Sequence, residues 1–217
     1  MNLQLAPYLQ QKERWPKAGR HILAHFDADS IVVYQAFNPR IGRFAAENQF
    51  FGGDFKLSRM SWIKPNFLWM MYRCGWGSKP EQESVLAVRL RRAGFETILS
   101  RAVHSAHDPR FYSSHNDWSR AVKTSEVRLQ WDPDHHPAGA PLERRAIQLG
   151  LSGDTLCAYA RDWIVSIEDI SPFVRQQGRL VQESRWSELM LPSESVFPIT
   201  EAAVAARVGA EAHRVQA

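Results

Sequence analysis

Six consecutive apolar or aromatic residues, Phe67-Leu-Trp-Met-Met-Tyr72, constrain this 217-residue chain more than any other stretch. Pro65 stands just ahead of them and Cys74-Gly75 just behind, which predicts a helix that starts at Pro65 and stops near Arg73. A helix apolar on every face offers no side to water and must be buried. Lys64 immediately precedes the proline, where backbone sterics favour an extended conformation. An ammonium at a helix N-terminus faces the positive end of the macrodipole. That placement becomes favourable when an anion sits there as well, whether from a ligand or from a carboxylate of the chain itself. Arg59, Ser61 and Asn66 are close enough in sequence to add donors, and Trp62, Trp69 and Trp76 suit core and pocket wall.

The flanking segments predict a mixed architecture. Ser30–Phe37 is β-branched and aromatic on both faces, as in an interior strand closed by Asn38-Pro39. A short amphipathic helix follows over 40–49 and ends at Phe50-Phe51-Gly52-Gly53. Residues 84–90 alternate as a strand, 94–99 suit either state, and 104–123 have the polar composition of a loop. Strands are predicted over 126–131 and 145–151, then a helix from Ser152-Gly-Asp154 to about Ile167 and a second one from Ser171-Pro172. Strands and helices do not alternate regularly, which argues for a single α+β domain over 21–199, not a doubly wound parallel sheet. Its sheet is expected to be mixed or antiparallel, with four to six strands and flanking helices. Residues 1–20 are expected to form an arm, and the alanine-rich 200–217 a helical or frayed tail.

A net charge of +4 is compatible with an anionic partner but is far from a nucleic-acid-coating tail. Cys74 and Cys157 lie among apolar neighbours and suit small core positions, not a disulfide framework or a multi-cysteine zinc site. His104, His107, His115, His135 and His136 fit no tight ligand spacing, so no metal is expected. The N-terminus shows no signal peptide and no apolar run is long enough to span a bilayer, so a cytoplasmic protein without a membrane partner is expected. There is no P-loop and no G-x-G-x-x-G, so a nucleotide would have to be held in another way. Glu126 opens a strand and would project at a sheet margin where catalytic carboxylates can sit, with Glu143 an equal competitor by position.

Four segments resemble the uncharacterised domain-of-unknown-function family 4291 of bacteria and fungi: W-I-K-P-N-F-L-W-M-M-Y-R (62–73), V-Y-Q-A-F-N (33–38), V-R-L-Q-W-D-P (127–133) and I-Q-L-G-L-S-G (147–153). The resemblance runs over most of residues 20–198. It implies membership but no activity. A weaker resemblance is to ADP-ribosyltransferase-like folds, carried by V-Y-Q-A-F, the following helix, F-F-G-G, and a later strand opening at S-E-V-R-L-Q. It implies an enzyme acting on NAD or a related nucleotide, with nucleic acid as a possible acceptor. Gln35 would then hold the ribose, although those folds usually have histidine or arginine at this position. Glu126 would stabilise the developing cation, Lys64 and Arg59 the phosphates, and Tyr72 would stack on nicotinamide. Trp62, Asn66 and Arg73 complete the expected ligand-binding set. The alternative expectation is a non-catalytic nucleotide- or RNA-binding module using the same basic, aromatic pocket.

Overall fold

The computed structural model describes residues 3–211. The N-terminal segment forms β1 (Leu5–Pro7), α1 (Tyr8–Arg14) and β2 (Gly19–Arg20). Then come β3 (Leu23–Ala24), β4 (Ser30–Phe37), α2 (Pro39–Asn48), β5 (Ser61–Ile63) and α3 (Phe67–Cys74). The middle of the chain gives β6 (Ser84–Arg91), α4 (Arg92–Ser100), β7 (Ala102–His104), α5 (His115–Thr124), β8 (Val127–His135) and β9 (Pro141–Leu151). It closes with α6 (Gly153–Arg161), β10 (Ile164–Asp169), α7 (Ser171–Gln182), β11 (Met190–Pro192), β12 (Ser195–Val196) and α8 (Ala202–Val208).

The expected α+β architecture is what the chain adopts, built on two principal sheets. In one, antiparallel β10, β6 and β4 lie side by side. In the other, β9 is central: β8 runs antiparallel along one edge, with β7 beyond it, while β2 and β5 share the opposite edge. The sheets are linked at one point, where Tyr34 and Lys64 exchange backbone hydrogen bonds of 2.7 and 3.2 Å. β4 is buried on both faces, as its composition predicts. Ile31 and Val33 enter one apolar cluster with Leu86, Phe95, Leu129 and Leu149, while Val32 and Tyr34 enter a second with Phe67, Leu68 and Met71.

The apolar run at 67–72 lies within α3, and Phe67 through Met71 are all buried. The helix begins two residues later than Pro65 suggests, because Asn66 is its N-cap and accepts a 2.7 Å bond from the Trp69 amide. Gly75 ends it in the left-handed conformation at φ 59°, a position where a Cβ would be strained.

Several expectations need correction. The helix after Ser152 stops at Arg161, and Ile164, Val165 and Ile167 form β10 instead. Their β-branched side chains favour extended backbone, and the open edge of β6 supplies the hydrogen bonds. The polar stretch after 104 contains α5, whose N-cap Ser114 accepts from the Asp117 amide. β8 continues through Pro133 to His135, with a register shift where proline cannot donate. α2 is ended by Gln49 at φ 63°, not by the glycines, because the Gln49 amide is fixed to both backbone groups of Ile167. Cys74 is buried but Cys157 is exposed on α6. No described helix is long and apolar enough to cross a membrane.

Residues 3–20 are tied into the body. β1 pairs with β11, the Tyr8 amide donates to Leu189, and the Trp15 indole donates to the carbonyl of Glu194. Arg144 on β9 reaches the Pro16 carbonyl at 2.7 Å while forming a fully buried ion pair with Asp134 at 2.6 Å. Removing one member of a buried pair leaves its partner uncompensated. Asp134→Ala is expected to cost about 3–5 kcal/mol of folding stability, read as a lowered midpoint in urea unfolding. Loss of less than about 1 kcal/mol would show that water reaches Arg144.

Candidate functional site

A cleft of about 620 Å³ lies between β4, the β5 segment, α3 and the paired strands β8 and β9. Each element contributes a different chemistry because its periodicity sends particular side chains inward. On β8, Gln130 and Asp132 are two residues apart and share a sheet face, while Leu129 is fully buried among the core residues of the other face. Gln148 pairs with Gln130 across the strands. Both glutamines donate their amides to Asp132, one to each carboxylate oxygen, at 2.8 Å. The carboxylate is thereby held in one orientation while staying on the cleft wall.

The aromatic wall comes from β5 and α3. Trp62 lies against the β9 backbone at Gly150, where an added Cβ would come within 2.9 Å of the indole. Tyr72 is 44 % exposed and lies face to face on His135, with 3.5 Å between ring centroids. Trp69 stacks beside both rings. The Trp69 indole N–H is buried without a hydrogen-bond partner, a polar group retained at some cost to stability. Arg73 stands exposed in the cleft lining.

Lys64 is the cation inside this cleft. Its residue is only 4 % exposed, and its backbone is clamped by Tyr34. Among the described residues its ammonium has no hydrogen-bond acceptor and no ion-pair partner. Burial pushes its pKa down to about 8, the Arg73 guanidinium pushes the same way, and Asp132 pulls partly back. The α3 N-terminus, where an anion is expected, is closed by an acidic side chain of the chain itself. Glu194 accepts from the Phe67 amide at 2.7 Å and from the Asn66 side chain at 3.1 Å. Burial raises the Glu194 pKa well above the ordinary carboxylate value. No local sequence signal links Glu194 to Phe67, 127 residues earlier in the chain.

The other expected residues divide. Gln35, Trp62, Lys64, Tyr72 and Arg73 line the cleft together. Gln35 is nonetheless committed: its amide donates to Ser61 Oγ and the Trp62 carbonyl, and its oxygen accepts from Tyr159 at 2.6 Å. Asn66 is buried and holds the helix start. Arg59 lies outside the main cleft, in an adjoining groove of about 520 Å³ that shares Phe37, Met60 and Ser61 with it. Glu126 is not brought to Gln35 and Lys64. It caps α6, accepting from the amides of Asp154 and Thr155 and from the Thr155 hydroxyl at 2.7–2.9 Å. Those bonds, with the Thr155 hydroxyl foremost, lower its pKa. Gly153 makes the contact possible, since a Cβ there would come within 2.2 Å of the carboxylate. Glu143 is exposed on β9 and does not line the cleft. Asp132, Gln130 and Gln148 are the functional candidates that sequence reading passed over. The period-two spacing of Gln130 and Asp132 within β8 is the signal that could have found those two, while Gln148 joins them only by cross-strand pairing.

Two outcomes follow from these environments. A buried lysine with a depressed pKa destabilises the fold while it is protonated. Lys64→Met is therefore expected to gain on the order of 2–3 kcal/mol at neutral pH. The gain should persist below about pH 8 and vanish as pH rises toward the ordinary lysine pKa near 10.4. Unfolding midpoints of both proteins across that range check the sign. Glu126→Ala is expected to cost about 1–2 kcal/mol through loss of the cap and to leave ligand binding in the cleft unchanged.

No curated protein matches the chain. The family described as "Domain of unknown function (DUF4291)" matches residues 21–197, so this chain is a member of that family.

Proposed function

We propose that the cleft is a nucleotide-binding site. The observation that carries this is the pairing of an unpartnered, buried lysine ammonium with an exposed aromatic ring in one cavity. The volume falls within the roughly 300–1,000 Å³ of small-ligand sites. The exposed Tyr72 and the partly exposed Trp62 offer stacking surface to a base, worth about 1–3 kcal/mol per base. Arg73 is placed to take an anionic group at the opening. Nothing in the cleft supplies a glycine-rich phosphate cradle, which fits a ligand held by its ring and one or two charges.

Transfer of ADP-ribose from NAD is a second possibility, favoured by the carboxylate that Asp132 presents in the cleft. Glu126 is committed to α6, so the role expected of it would pass to Asp132, whose charge could stabilise an oxocarbenium-like centre. The adjoining groove, with Lys56 and Arg59 beside an Arg40–Asp54 ion pair, would suit the phosphates of a nucleic-acid acceptor.

Titration of the purified protein with ATP, ADP-ribose and NAD, followed by tryptophan fluorescence and calorimetry, tests the binding. Lys64→Ala and Tyr72→Ala are each expected to weaken it at least about tenfold, a change of about 1.4 kcal/mol. Equal binding by Lys64→Ala and the parent would remove the site from this cleft. For transfer, nicotinamide release should be lost in Asp132→Asn and kept in Glu126→Ala.

A further inference from the structure

The chemistry around Lys64 is not that of a simple phosphate anchor. Phosphate sites converge several donors on one anion, usually with free backbone amides at a helix start. Here the nearest helix start is already closed, because Glu194 takes the Phe67 amide and Asn66 takes that of Trp69. The amides of Gln130 and Gln148, the obvious side-chain donors on the facing strands, are committed to Asp132. The Gln35 amide is committed to Ser61 and Trp62. Lys64 thus stands as a lone nitrogen, held on rigid backbone, in the same cleft as a fixed carboxylate with which it forms no ion pair. Five of the six lysines in the chain are exposed, and Lys64 is the exception.

We propose that Lys64 is a covalent amine that forms an imine with an aldehyde or ketone carbonyl of an anionic, ring-bearing ligand, and that Asp132 carries the protons. This deepens the nucleotide-site reading, since it rests on the same cleft receiving a charged ligand.

The step balances without a further reactant. The neutral Nζ adds to the carbonyl carbon as the C=O π pair moves to oxygen. One nitrogen proton passes through Asp132 to that oxygen, giving a carbinolamine. The Asp132 carboxylate then takes the second nitrogen proton and delivers it to the hydroxyl, which leaves as water while the nitrogen electron pair forms the C=N bond. The product is a neutral imine and one water molecule, and Asp132 ends as the carboxylate it began as. Burial supplies the neutral amine this chemistry needs. The ionisable groups acting on Lys64 are Arg73, which disfavours the ammonium, and Asp132 and Cys74, which favour it. Arg73 at the opening would hold the ligand's phosphate or carboxylate.

Pyridoxal 5′-phosphate, an aromatic aldehyde bearing a phosphate, serves as the probe. The full chain is incubated with one equivalent of it and cyanoborohydride, and the reduced adduct is located by peptide mapping. The expected result is preferential labelling of Lys64 over the five exposed lysines, with a rate that rises with pH around a midpoint near 8. Asp132→Asn should slow the labelling at least about tenfold while Lys64 remains the preferred site. Lys64→Arg should leave only slow, scattered labelling. Labelling spread over the exposed lysines with Lys64 unmodified overturns the proposal. So does labelling of Lys64 at the parent rate in Asp132→Asn, at least for the proton role of Asp132. Nucleotide binding without Lys64 labelling would leave the binding site standing and remove the imine. Lys64 labelling without nucleotide binding would do the reverse.

Discussion

The pair of backbone hydrogen bonds between Tyr34 and Lys64 is what the rest of the site depends on. β4 and β5 belong to different sheets, and this two-bond bridge is where their backbones are joined. Side chains reinforce the junction. Gln35, the next residue on β4, donates to Ser61 and Trp62 on β5 and is itself held by Tyr159 from α6. Because Lys64 contributes main-chain atoms to the bridge, its side chain leaves from a fixed point. The residue is buried around that point, and this burial is what depresses its pKa.

The carboxylate in the cleft lining is fixed by a different device. Asp132 is held by neutral amides, not by a cation, so its charge is oriented without being cancelled by a bound arginine or lysine. Contrast Asp134, two residues further along β8 and deep in the fold, whose carboxylate is neutralised by Arg144 at 2.6 Å. The same residue type serves two ends within one strand. Asp134 stabilises the attachment of the N-terminal segment, and Asp132 presents charge to the cleft. Glu126, at the other end of this strand, has a third use as a helix cap.

Local physics made much of this visible in the sequence. The apolar run at 67–72 demanded a buried helix, and composition alone marked β4 as covered on both faces. The membership of Lys64 in the cleft was legible because Trp62, Lys64, Tyr72 and Arg73 are close in sequence, whereas among the described residues no anion pairs with its ammonium. What failed depended on distant partners. Ile164 and Ile167 fit a helical face as well as a strand, and only the free edge of β6 decided between them. Glu126 had the right position for a catalytic acid, but Thr155 and Asp154 claim it, and a single strand's pattern does not reveal them. Likewise the closure of the α3 N-terminus by Glu194 rests on a contact across more than half of the chain.

That last contact has a temporal side. The helix carrying Trp69, Tyr72 and Arg73 is completed by a carboxylate far toward the C-terminal end. Its amide is in turn bound by Gln11, and its carbonyl by Trp15, both close to the beginning. Chain synthesis therefore produces the aromatic wall long before it produces the residue that caps it. Until Glu194 emerges, the amide of Phe67 and the side chain of Asn66 lack their partner, and the apolar helix has only part of its cover. The cap of the aromatic wall thus draws on Gln11 and Trp15 from one part of the chain and Glu194 from another, which makes it a contact of high sequence separation.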